Sequence, residues 1–499
     1  MKRPIATIKI FFMLVVLTYM ALPALAQVIA EDLKIVSNDG EDGDQFGGDV
    51  ALDAGIIAVG ARYDADNGHW AGSAYLFDAT TGAQLFKLIP EDGLPDSQFG
   101  ISIAIDDAVV VVGSAFDNAP YSDSGSAYLF DASTGQQLHK LIPTDVTSNK
   151  AFGYRVDIDN GLVAIAAIGD GSNGAYSGAA YLFDAETGQQ LRKFLPDDGS
   201  ASDGFGQSIA INNGVVVVGA YHDDDNGSNS GSAYLFDAAT GVQLAKLLPE
   251  DGTTEDEFGI SVALDNNTVV VGARYEYYGF GAAYLFDATL FDQTGKIKPN
   301  ELAQNTQFGS VVAISNNVVA VGENRSDLNF DQAGTVFLFD AATGDQISRH
   351  QPSDSMQNHY FGISVALDNG TLVCGADGDQ DNGFASGATY VFEFGGIDLS
   401  AVPLASASLN LYPNHPNPFN PSTTIRYSVE NHGYVELAVY SARGELVRTL
   451  VSEFQAAGAV HSVVWDGRDE NGRTQSSGVY YARLMSEEKA ALQKMVLLK

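Results

Sequence analysis

The sequence predicts an all-β protein in which a seven-bladed β-propeller, closed by an N-terminal strand, is followed by a small β-sandwich. Three observations support this fold class: a sevenfold repeat, four short strands in each copy, and one strand displaced from the last copy to the first. The dipeptide Phe-Gly recurs at spacings of 53, 53, 53, 53, 50 and 53 residues, at Phe46, Phe99, Phe152, Phe205, Phe258, Phe308 and Phe361. Fixed periods of this size are typical of propellers, solenoids and arrays.

Each repeat contains four short strands, which we name A to D in chain order. In the second repeat "ISIAI" is strand A, "VVVV" before Gly113 is strand B, "SAYLF" is strand C and "QLHKLIP" is strand D. The apolar run of strand B indicates a strand covered on both faces, which arises where four-stranded sheets stack around an axis. The small residues of strand A suit the crowded centre of such a ring.

The connections between the strands fall into two classes. Tight turns such as "IDNG" at 158–161 join A to B, and "DATTG" at 78–82 joins C to D, where the first Asp is predicted to cap the turn. The B-to-C and D-to-A loops are longer. Because successive strands alternate in direction, these longer loops share one face, which we call the loop face and expect to be the working face.

The last repeat predicts how the ring closes. It ends at "GATYVFEF" (387–394) without a strand D, whereas "LKIVSNDGEDGDQFG" near the N terminus matches "FKLIPEDGLPDSQFG" of the first repeat. Lys34 and Lys87 each precede their Phe-Gly by twelve residues. We therefore expect the N-terminal strand to complete the seventh blade and to remove the open sheet edges that promote aggregation.

Residues 1–26 have the pattern of a cleaved secretory signal peptide. Lys2, Arg3 and Lys9 stand ahead of an apolar run, and Ala24-Leu25-Ala26 provides a small-residue cleavage site. An uncleaved anchor is the alternative, although the apolar run is shorter than the ~20 residues of a spanning helix, and no transmembrane segment is expected in the mature chain. The predicted boundaries are 1–26 for the signal peptide, 27–394 for the propeller, 395–408 for a linker and 409–499 for a C-terminal domain.

The propeller carries all of the excess negative charge. The chain has a net charge of −37. Residues 1–26 contribute three positive charges and residues 409–499 nine of each sign, so residues 27–408 carry −40. A field of this sign repels nucleic acids and anionic lipid, and it favours cations and basic surfaces as partners. An acidic coat that keeps a secreted protein soluble is the alternative explanation.

Residues 409–499 follow a different pattern. Alternating segments separated by Gly and Asn turns indicate a small antiparallel sandwich. The phrases "PNPFNP", "WDGRDENG", "SGVYYARL" and "KMVLLK" resemble the C-terminal (type A) sorting domain of type IX secretion system cargo, and related flagellar-hook-type Ig-like modules. The resemblance implies a small Ig-like β-sandwich and export by a type IX-like machinery. It places the protein outside a Gram-negative bacterium or on its outer cell surface.

The propeller resembles the FG-GAP repeats of integrin α-subunit heads. The resemblance rests on "FGxSVAL", "VVVGA" and "GSAYLFD" and covers roughly residues 32–394. It implies adhesion or ligand binding rather than catalysis. Integrin-type blades that bind calcium carry an acidic loop between Phe-Gly and Gly-Ala. This chain has only a two-residue turn there, such as Asp159-Asn160, so those calcium sites are not carried over.

Calcium is the one cofactor that the residues suggest. Alternating carboxylates before a Gly bend resemble the oxygen-rich loops that bind Ca²⁺, and they occur in three B-to-C loops. The candidate ligands are Asp64 and Asp66, Asp223 and Asp225, and Asp377, Asp379 and Asp381. The third loop lacks a closing acid, because Ala388 stands there, so a neighbouring D-to-A loop or water would have to complete the site. Solvated turn aspartates are the alternative interpretation.

The loop face also carries aromatic side chains that could stack on a sugar or anchor a protein. Trp70 and Tyr221 lie in B-to-C loops, and packing between blades is the alternative role for such rings. Repeat five departs most from the pattern: its B-to-C loop is three residues shorter, and its C-to-D turn is predicted to be longer. We expect a ligand patch in that shortened loop, formed by Arg274, Tyr275, Tyr277 and Tyr278.

The sequence favours a secreted or cell-surface protein that binds an extracellular protein or glycan through the loop face. It has no His-x-x-x-His motif, no cysteine-based metal spacing and no Gly-x-Ser-x-Gly motif on a strand-to-helix turn, so no catalytic residue is predicted. An extracellular polysaccharide-acting enzyme and a structural surface-layer component are the alternatives. Nucleic acids are not expected as partners.

Overall fold

In the computed structural model the chain divides into two compact units, of which the first ends at Gly395 and the second begins at Gly396. The structure describes residues 28–300, 306–326 and 332–394 of the first unit. In the second it describes 410–411, 414, 417, 419–428, 433–441, 446–455, 460–470, 472–486 and 489–498. The predicted signal peptide (1–26) and linker (395–408) lie outside the described residues.

The first unit is a seven-bladed β-propeller, as predicted, in which each antiparallel sheet has the order A-B-C-D. Strand A is Phe46–Asp53, Phe99–Asp106, Phe152–Asp159, Phe205–Asn212, Phe258–Asp265, Val311–Ser315 and Val365–Asp368. Strand B is Ile56–Ala61, Val109–Ser114, Leu162–Ala167, Val215–Ala220, Thr268–Ala273, Val318–Glu323 and Thr371–Ala376. Strand C is Ser73–Asp78, Ser126–Asp131, Ala179–Asp184, Ser232–Asp237, Ala282–Asp287, Thr335–Asp340 and Ala388–Glu393. Strand D is Gln84–Leu88, Gln137–Leu141, Gln190–Phe194, Gln243–Leu247, Gln293–Ile297, Gln346–His350 and, for the seventh blade, Leu33–Ile35.

The apolar run of strand B is covered on both faces because the blades stack on each other. In the fourth blade Val216, Val217 and Val218 are all fully buried. Val216 and Val218 pack with residues of the third blade, and Val217 packs with residues of the fifth blade. Side chains alternate along a strand, so a strand between two neighbouring sheets needs apolar residues at every position.

The N-terminal strand closes the ring, as predicted. Leu33–Ile35 pairs antiparallel with the seventh strand C, and Lys34 lies opposite Tyr390. The structure adds a contact that the sequence did not predict: Val28–Ile29 pairs parallel with strand D of the sixth blade, opposite Arg349 and His350. The sixth sheet therefore has five strands, and the N-terminal segment contacts two blades.

The Phe-Gly dipeptide joins each blade to its neighbour. Phe205 is fully buried, and its ring centroid lies 5.6 Å from that of Tyr234 and 5.9 Å from that of Phe236 in edge-on contacts. Its backbone forms a parallel bridge with Gly178, which directly precedes strand C of the third blade. Equivalent bridges occur between other neighbours, such as Gly125 with Phe152. The repeated Phe-Gly therefore contributes to the core and also sets the spacing between blades.

The fifth blade differs in one connection. Its B-to-C loop is shortened, as predicted, and contains the short helix Glu276–Gly279. The prediction of a longer C-to-D turn was wrong, because that turn runs from Asp287 to Gln293 and has the same length as the turn from Asp78 to Gln84. Phe291, with a φ of 62°, has the left-handed backbone conformation that a glycine has at this turn position in other blades. Because the glycine is missing, the sequence did not show that the turns are equivalent.

The second unit is a small sandwich of two sheets. The first sheet has Thr423–Ser428 between Asn410–Leu411 and Val460–Trp465, and the second has the order Leu446–Gln455, Gly433–Ser441, Gly478–Ser486, Lys489–Leu497. Both sheets contribute to one buried cluster around Trp465, which meets Phe419 and Tyr480 at centroid distances of 5.4 and 5.1 Å. Over the ranges that the structure describes, no helix has the length and apolar character needed to cross a membrane.

Candidate functional site

The two classes of connection lie on opposite faces of the propeller, as predicted. On the loop face the Tyr75 hydroxyl donates to Asp64 of a B-to-C loop at 2.6 Å and contacts Asp39 of a D-to-A loop at 3.0 Å. On the other face the backbone N–H of Ala79 in a C-to-D turn donates to Gly55 in an A-to-B turn at 2.9 Å. The loop face thus brings carboxylates from two blade connections together.

A cluster of a lysine, a tyrosine and carboxylates recurs on the loop face in six of the seven blades, with Lys150 as a second lysine in the third blade and Lys298 in the fifth. In the first blade Lys87 Nζ lies 2.8 Å from Asp39 and 3.0 Å from Asp64, the same carboxylates that Tyr75 contacts. We call this arrangement the Lys-Tyr-carboxylate cluster. Its tyrosines are Tyr75, Tyr128, Tyr181, Tyr234, Tyr284 and Tyr390, with Lys87, Lys140, Lys193, Lys246, Lys296 and Lys34 beside them.

The electrostatics of the cluster favour the ion-paired state. Partial burial by itself lowers the pKa of Lys87, but hydrogen bonds to Asp39, Asp66 and Asp64 outweigh burial and raise that pKa above its usual value. Burial and the nearby carboxylates raise the pKa of Tyr75, which keeps the phenol protonated as a donor. Each cluster therefore ties the connection from the preceding blade to strands C and D of its own blade.

The aspartates predicted as calcium ligands surround basic groups instead. Asp64 and Asp66 contact Lys87, Asp223 and Asp225 contact Lys246, and Asp379 and Asp381 contact Lys34, at 2.5 to 3.0 Å; Asp377 lies 3.8 Å from Arg62. A D-to-A loop does add a carboxylate to the third set, Asp354, but it too contacts Lys34, at 2.6 Å. Among the described residues no three His, Cys, Asp or Glu side chains are arranged to hold a metal ion. Asp64, Asp66, Asp223, Asp225, Asp379 and Asp381 do not fit a calcium site in this arrangement, because a lysine ammonium group lies among them.

Replacing one of these lysines tests that interpretation. We expect Lys246→Met to lower the free energy of unfolding by about 2 kcal/mol, since it leaves buried Asp223 without its cation. Added Ca²⁺ should restore part of the loss, because Asp198, Asp223 and Asp225 then face one another without a counter-ion. Urea denaturation with and without CaCl₂ measures both effects.

The matched control is Arg192→Met, which removes an exposed cation of strand D that donates hydrogen bonds to the backbone carbonyls of Leu191 and Ala239. This variant should unfold within about 0.5 kcal/mol of the parent, as surface substitutions usually do. If Ca²⁺ raised the urea midpoint of the unmodified protein as much as it raised that of Lys246→Met, our interpretation of the cluster would be contradicted.

The predicted ligand patch of the fifth blade is only partly assembled. Arg274 lies over the ring of Tyr275 at 5.1 Å, and its Nε is held by Glu257 at 2.6 Å. The Tyr275 hydroxyl accepts a hydrogen bond from Gln307 Nε2 at 2.9 Å. These two residues therefore belong to a fixed polar network at the centre of the loop face.

The remaining predicted residues are spread over the loop face. The Tyr277 ring is 64% exposed, and Lys298 lies 5.7 Å above it; Tyr278 belongs to the helix, but its side chain lies outside the described part. Trp70 is 46% exposed and stacks on His69 at a centroid distance of 4.3 Å. The Tyr221 ring contacts that of His222 in a tilted arrangement, at a centroid distance of 3.7 Å, and lines a groove with exposed Tyr176. The structure therefore does not gather the predicted aromatic residues into one patch.

One position per blade breaks the sevenfold symmetry at the centre of the loop face. The residue directly after strand B is Arg62, Ala115, Ile168, Tyr221, Arg274, Asn324 and Asp377 in successive blades. Blades two and three are apolar here, where Ala115 and Ile168 belong to one cluster with Ile101 and Phe116. Polar and charged side chains line a cleft of about 480 Å³ where Arg274, Asn324 and Asp377 meet. These positions are therefore apolar in blades two and three and polar or charged in blades five, six, seven and one.

Sequence reasoning missed the Lys-Tyr-carboxylate cluster, although the signal was present. The Tyr75 partners lie 11 and 36 residues away, and the same separations recur for Tyr128, Tyr181, Tyr234 and Tyr390. A lysine that recurs at a constant distance from loop aspartates indicates an ion pair in each of these blades. Considering each acidic loop alone led to calcium instead.

A family model described as the FG-GAP repeat matches the propeller seven times, at residues 30–77, 83–130, 136–183, 189–236, 242–286, 291–339 and 345–392. The first match contains the closing strand D followed by strands A, B and C of the first blade, which agrees with the closure of the ring. A model described as the FlgD Ig-like domain matches residues 422–489. No curated protein matches the chain.

Proposed function

Because the chain belongs to the FG-GAP repeat family, we propose that its propeller is a binding or adhesion module that recognises an extracellular protein or glycan through the loop face. The family model covers most of the chain, and the FG-GAP repeat is associated with extracellular binding. The proposal assigns the sevenfold scaffold a supporting role and the loop face the recognition of the ligand. We propose that the propeller binds without catalysis.

The symmetry break at the residue after strand B carries this proposal. Positions that the fold requires are repeated from blade to blade, as Phe205 and Tyr234 illustrate. The residues after strand B lie at equivalent places in the fold, yet they range from Ile168 to Arg274 to Asp377. A scaffold has no need of such variety at one ring of positions, whereas a ligand of fixed shape and polarity does.

Blocking each face in turn tests the proposal. Single cysteines at exposed Asn67 and Ser228 place a maleimide-linked polymer on the loop face, while cysteines at exposed Thr80 and Ala239 place it on the opposite face of the same two blades. Cys374 is fully buried, so it should not compete for the label. The labelled full-length chains are then applied to an array of glycans and matrix proteins.

We expect the unlabelled protein to bind at least one array component, and polymer on the loop face to abolish that binding. Polymer on the opposite face should leave the signal within about twofold. The proposal would be overturned if binding were lost only when the polymer is on the opposite face. Release of a shortened polysaccharide from the array would also overturn it, since that indicates an enzyme.

We also propose that the chain is exported and reaches the outer surface of a Gram-negative cell or the medium through a type IX-like route. The signal-like residues 1–26 and the C-terminal phrases that resemble a sorting domain support this route. Removal of residues 409–499 should leave the propeller inside the outer membrane, as measured by cell fractionation. Unchanged export of the shortened chain would contradict it.

A further inference from the structure

Side-chain amides are the most frequent polar groups that line one cleft on the loop face. It lies where blades five, six, seven and one meet, and it has a volume of about 480 Å³. The amides are Gln45, Gln307, Asn324, Asn358 and Gln380. A side-chain amide both donates and accepts hydrogen bonds, which matches the paired hydroxyl groups of a saccharide. We call this the amide cleft.

Neighbouring side chains hold two of these amides in place. Gln45 Oε1 accepts from Arg62 Nη2 at 2.7 Å and Nε at 3.1 Å, which directs the Gln45 NH₂ group as a donor. Gln307 Nε2 donates to Tyr275, so its Oε1 remains as an acceptor. Gln307 and Asn324 are only 6% and 7% exposed. Amides fixed before binding lose little entropy when a ligand arrives.

The amide cleft also contains positive charge in a strongly acidic propeller. Arg274, Arg325 and one carboxylate, Asp377, line it. Glu257 pairs with Arg274 at 2.6 Å, and Arg62 lies 3.8 Å from Asp377. Arg325 is exposed, and its guanidinium has no ion-pair partner within the described ranges. An exposed arginine at a cleft is suited to a ligand carboxylate, which a guanidinium can bind with two parallel hydrogen bonds.

An exposed aromatic ring completes the amide cleft. Phe384 is 72% exposed, yet its backbone is fixed: its N–H donates to Asp42 at 3.0 Å, and its carbonyl accepts from Gly43 at 2.8 Å. Tyr360 lines the same cleft. Rings held on rigid loops offer an apolar face against which a sugar ring can pack.

We propose that the amide cleft binds an acidic saccharide: Arg325 takes the carboxylate of a uronic acid, the amides contact its hydroxyl groups, and Phe384 packs against a sugar ring. This inference rests on the proposed binding role of the loop face and names its ligand class. The groove lined by Tyr176 and Tyr221 is more apolar and has no arginine among its lining residues, so it fits a charged sugar less well.

Calorimetric titration of the full-length protein tests the ligand class. The probes are hexasaccharides of galacturonate and of mannuronate, the methyl ester of the first, a neutral galactan hexasaccharide and a sulfated galactan hexasaccharide. We expect at least one uronate probe to bind, and the methyl ester and the neutral probe to bind at least tenfold more weakly, because each lacks the charge that Arg325 meets. Sulfated galactan that binds as tightly as the uronates would overturn carboxylate recognition.

Variants locate the site. Arg325→Gln should weaken uronate binding about tenfold or more, and Asn358→Ala with Gln380→Ala should weaken it further, since all three residues are exposed and can change without loss of the fold. Arg192→Gln on an outer strand D is the matched control and should bind as the parent does. Equal uronate affinity of Arg325→Gln and the parent overturns the inference.

The two proposals fail in different ways. Suppose that polymer on the loop face blocks binding of a ligand while the cleft variants bind it as the parent does. That result supports the binding role of the loop face and overturns the amide cleft as the binding site. If a ligand still binds when polymer is attached at either loop-face position, the binding role of the loop face is overturned. Absence of binding by every uronate probe, with binding of another array component, overturns only the acidic-saccharide assignment.

Discussion

A chain truncated to begin at Ser37 is expected to lose on the order of 5 kcal/mol of its free energy of unfolding and to aggregate. The truncation removes Leu33–Ile35, the strand D that closes the seventh blade. Ile35 is 3% exposed, and burial of such a side chain contributes about 2 kcal/mol. Loss of Lys34 leaves fully buried Asp379 without that cation, at about 3 kcal/mol or more. The exposed strand Ala388–Glu393 then offers a free edge to another molecule.

A chain that begins at Ala30 is the matched control for this truncation. It loses only Val28–Ile29, the fifth strand of the sixth blade, and it keeps the closing strand. We expect a loss of about 1 kcal/mol, since only two residues leave the sheet. Urea denaturation gives the stabilities, and light scattering gives the aggregation. Similar midpoints for both truncated chains would show that closure by the N-terminal strand contributes little.

Gly178→Ala is expected to destabilise the propeller by about 3 to 5 kcal/mol, because it forces two blades apart. Gly178 has a φ of 86°, and a Cβ atom there would overlap the carbonyl oxygen of Phe205 in the next blade. The clash is with backbone that takes part in the bridge between the blades, so a side-chain rotation cannot relieve it.

Gly161→Ala in the same blade separates backbone strain from this clash. Gly161 has a φ of 74°, but its added Cβ would meet nothing within 4 Å. Only the cost of a left-handed alanine remains, which is about 1 kcal/mol. Urea midpoints of the two variants measure the difference. Equal losses would mean that the close approach of neighbouring blades does not restrict this position.

The blade architecture could be predicted because its signals are local and repeated. The 53-residue period, the apolar strand B and the lysine shared by the first and last repeats each follow from the order of residues. The missing strand D also predicted the partner of Leu33–Ile35. The parallel pairing of Val28–Ile29 could not be predicted, because two residues carry no periodic pattern.

The candidate sites could be predicted less well, because side chains from distant loops decide them. The spacing of Asp379 and Asp381 is that of a calcium loop, yet Lys34 reaches them from more than 340 residues away along the chain. Trp70 and Tyr221 carry the same aromatic signal, yet each pairs with its own neighbouring histidine. A motif gives the type of residue in a loop but not the charge that faces it.

The sequence by itself determined seven repeats of four strands, the closure of the ring and the face that carries the long loops, because each depends on periodicity and on the direction of the chain. The tertiary structure alone decided that lysines form ion pairs with aspartates of the acidic loops and that amides from blades five, six, seven and one line a single cleft. The physical reason is that hydrogen bonds and charge pairs act over a few ångströms. Which groups come within that distance is set by how the blades pack around the axis, and no single repeat contains that information.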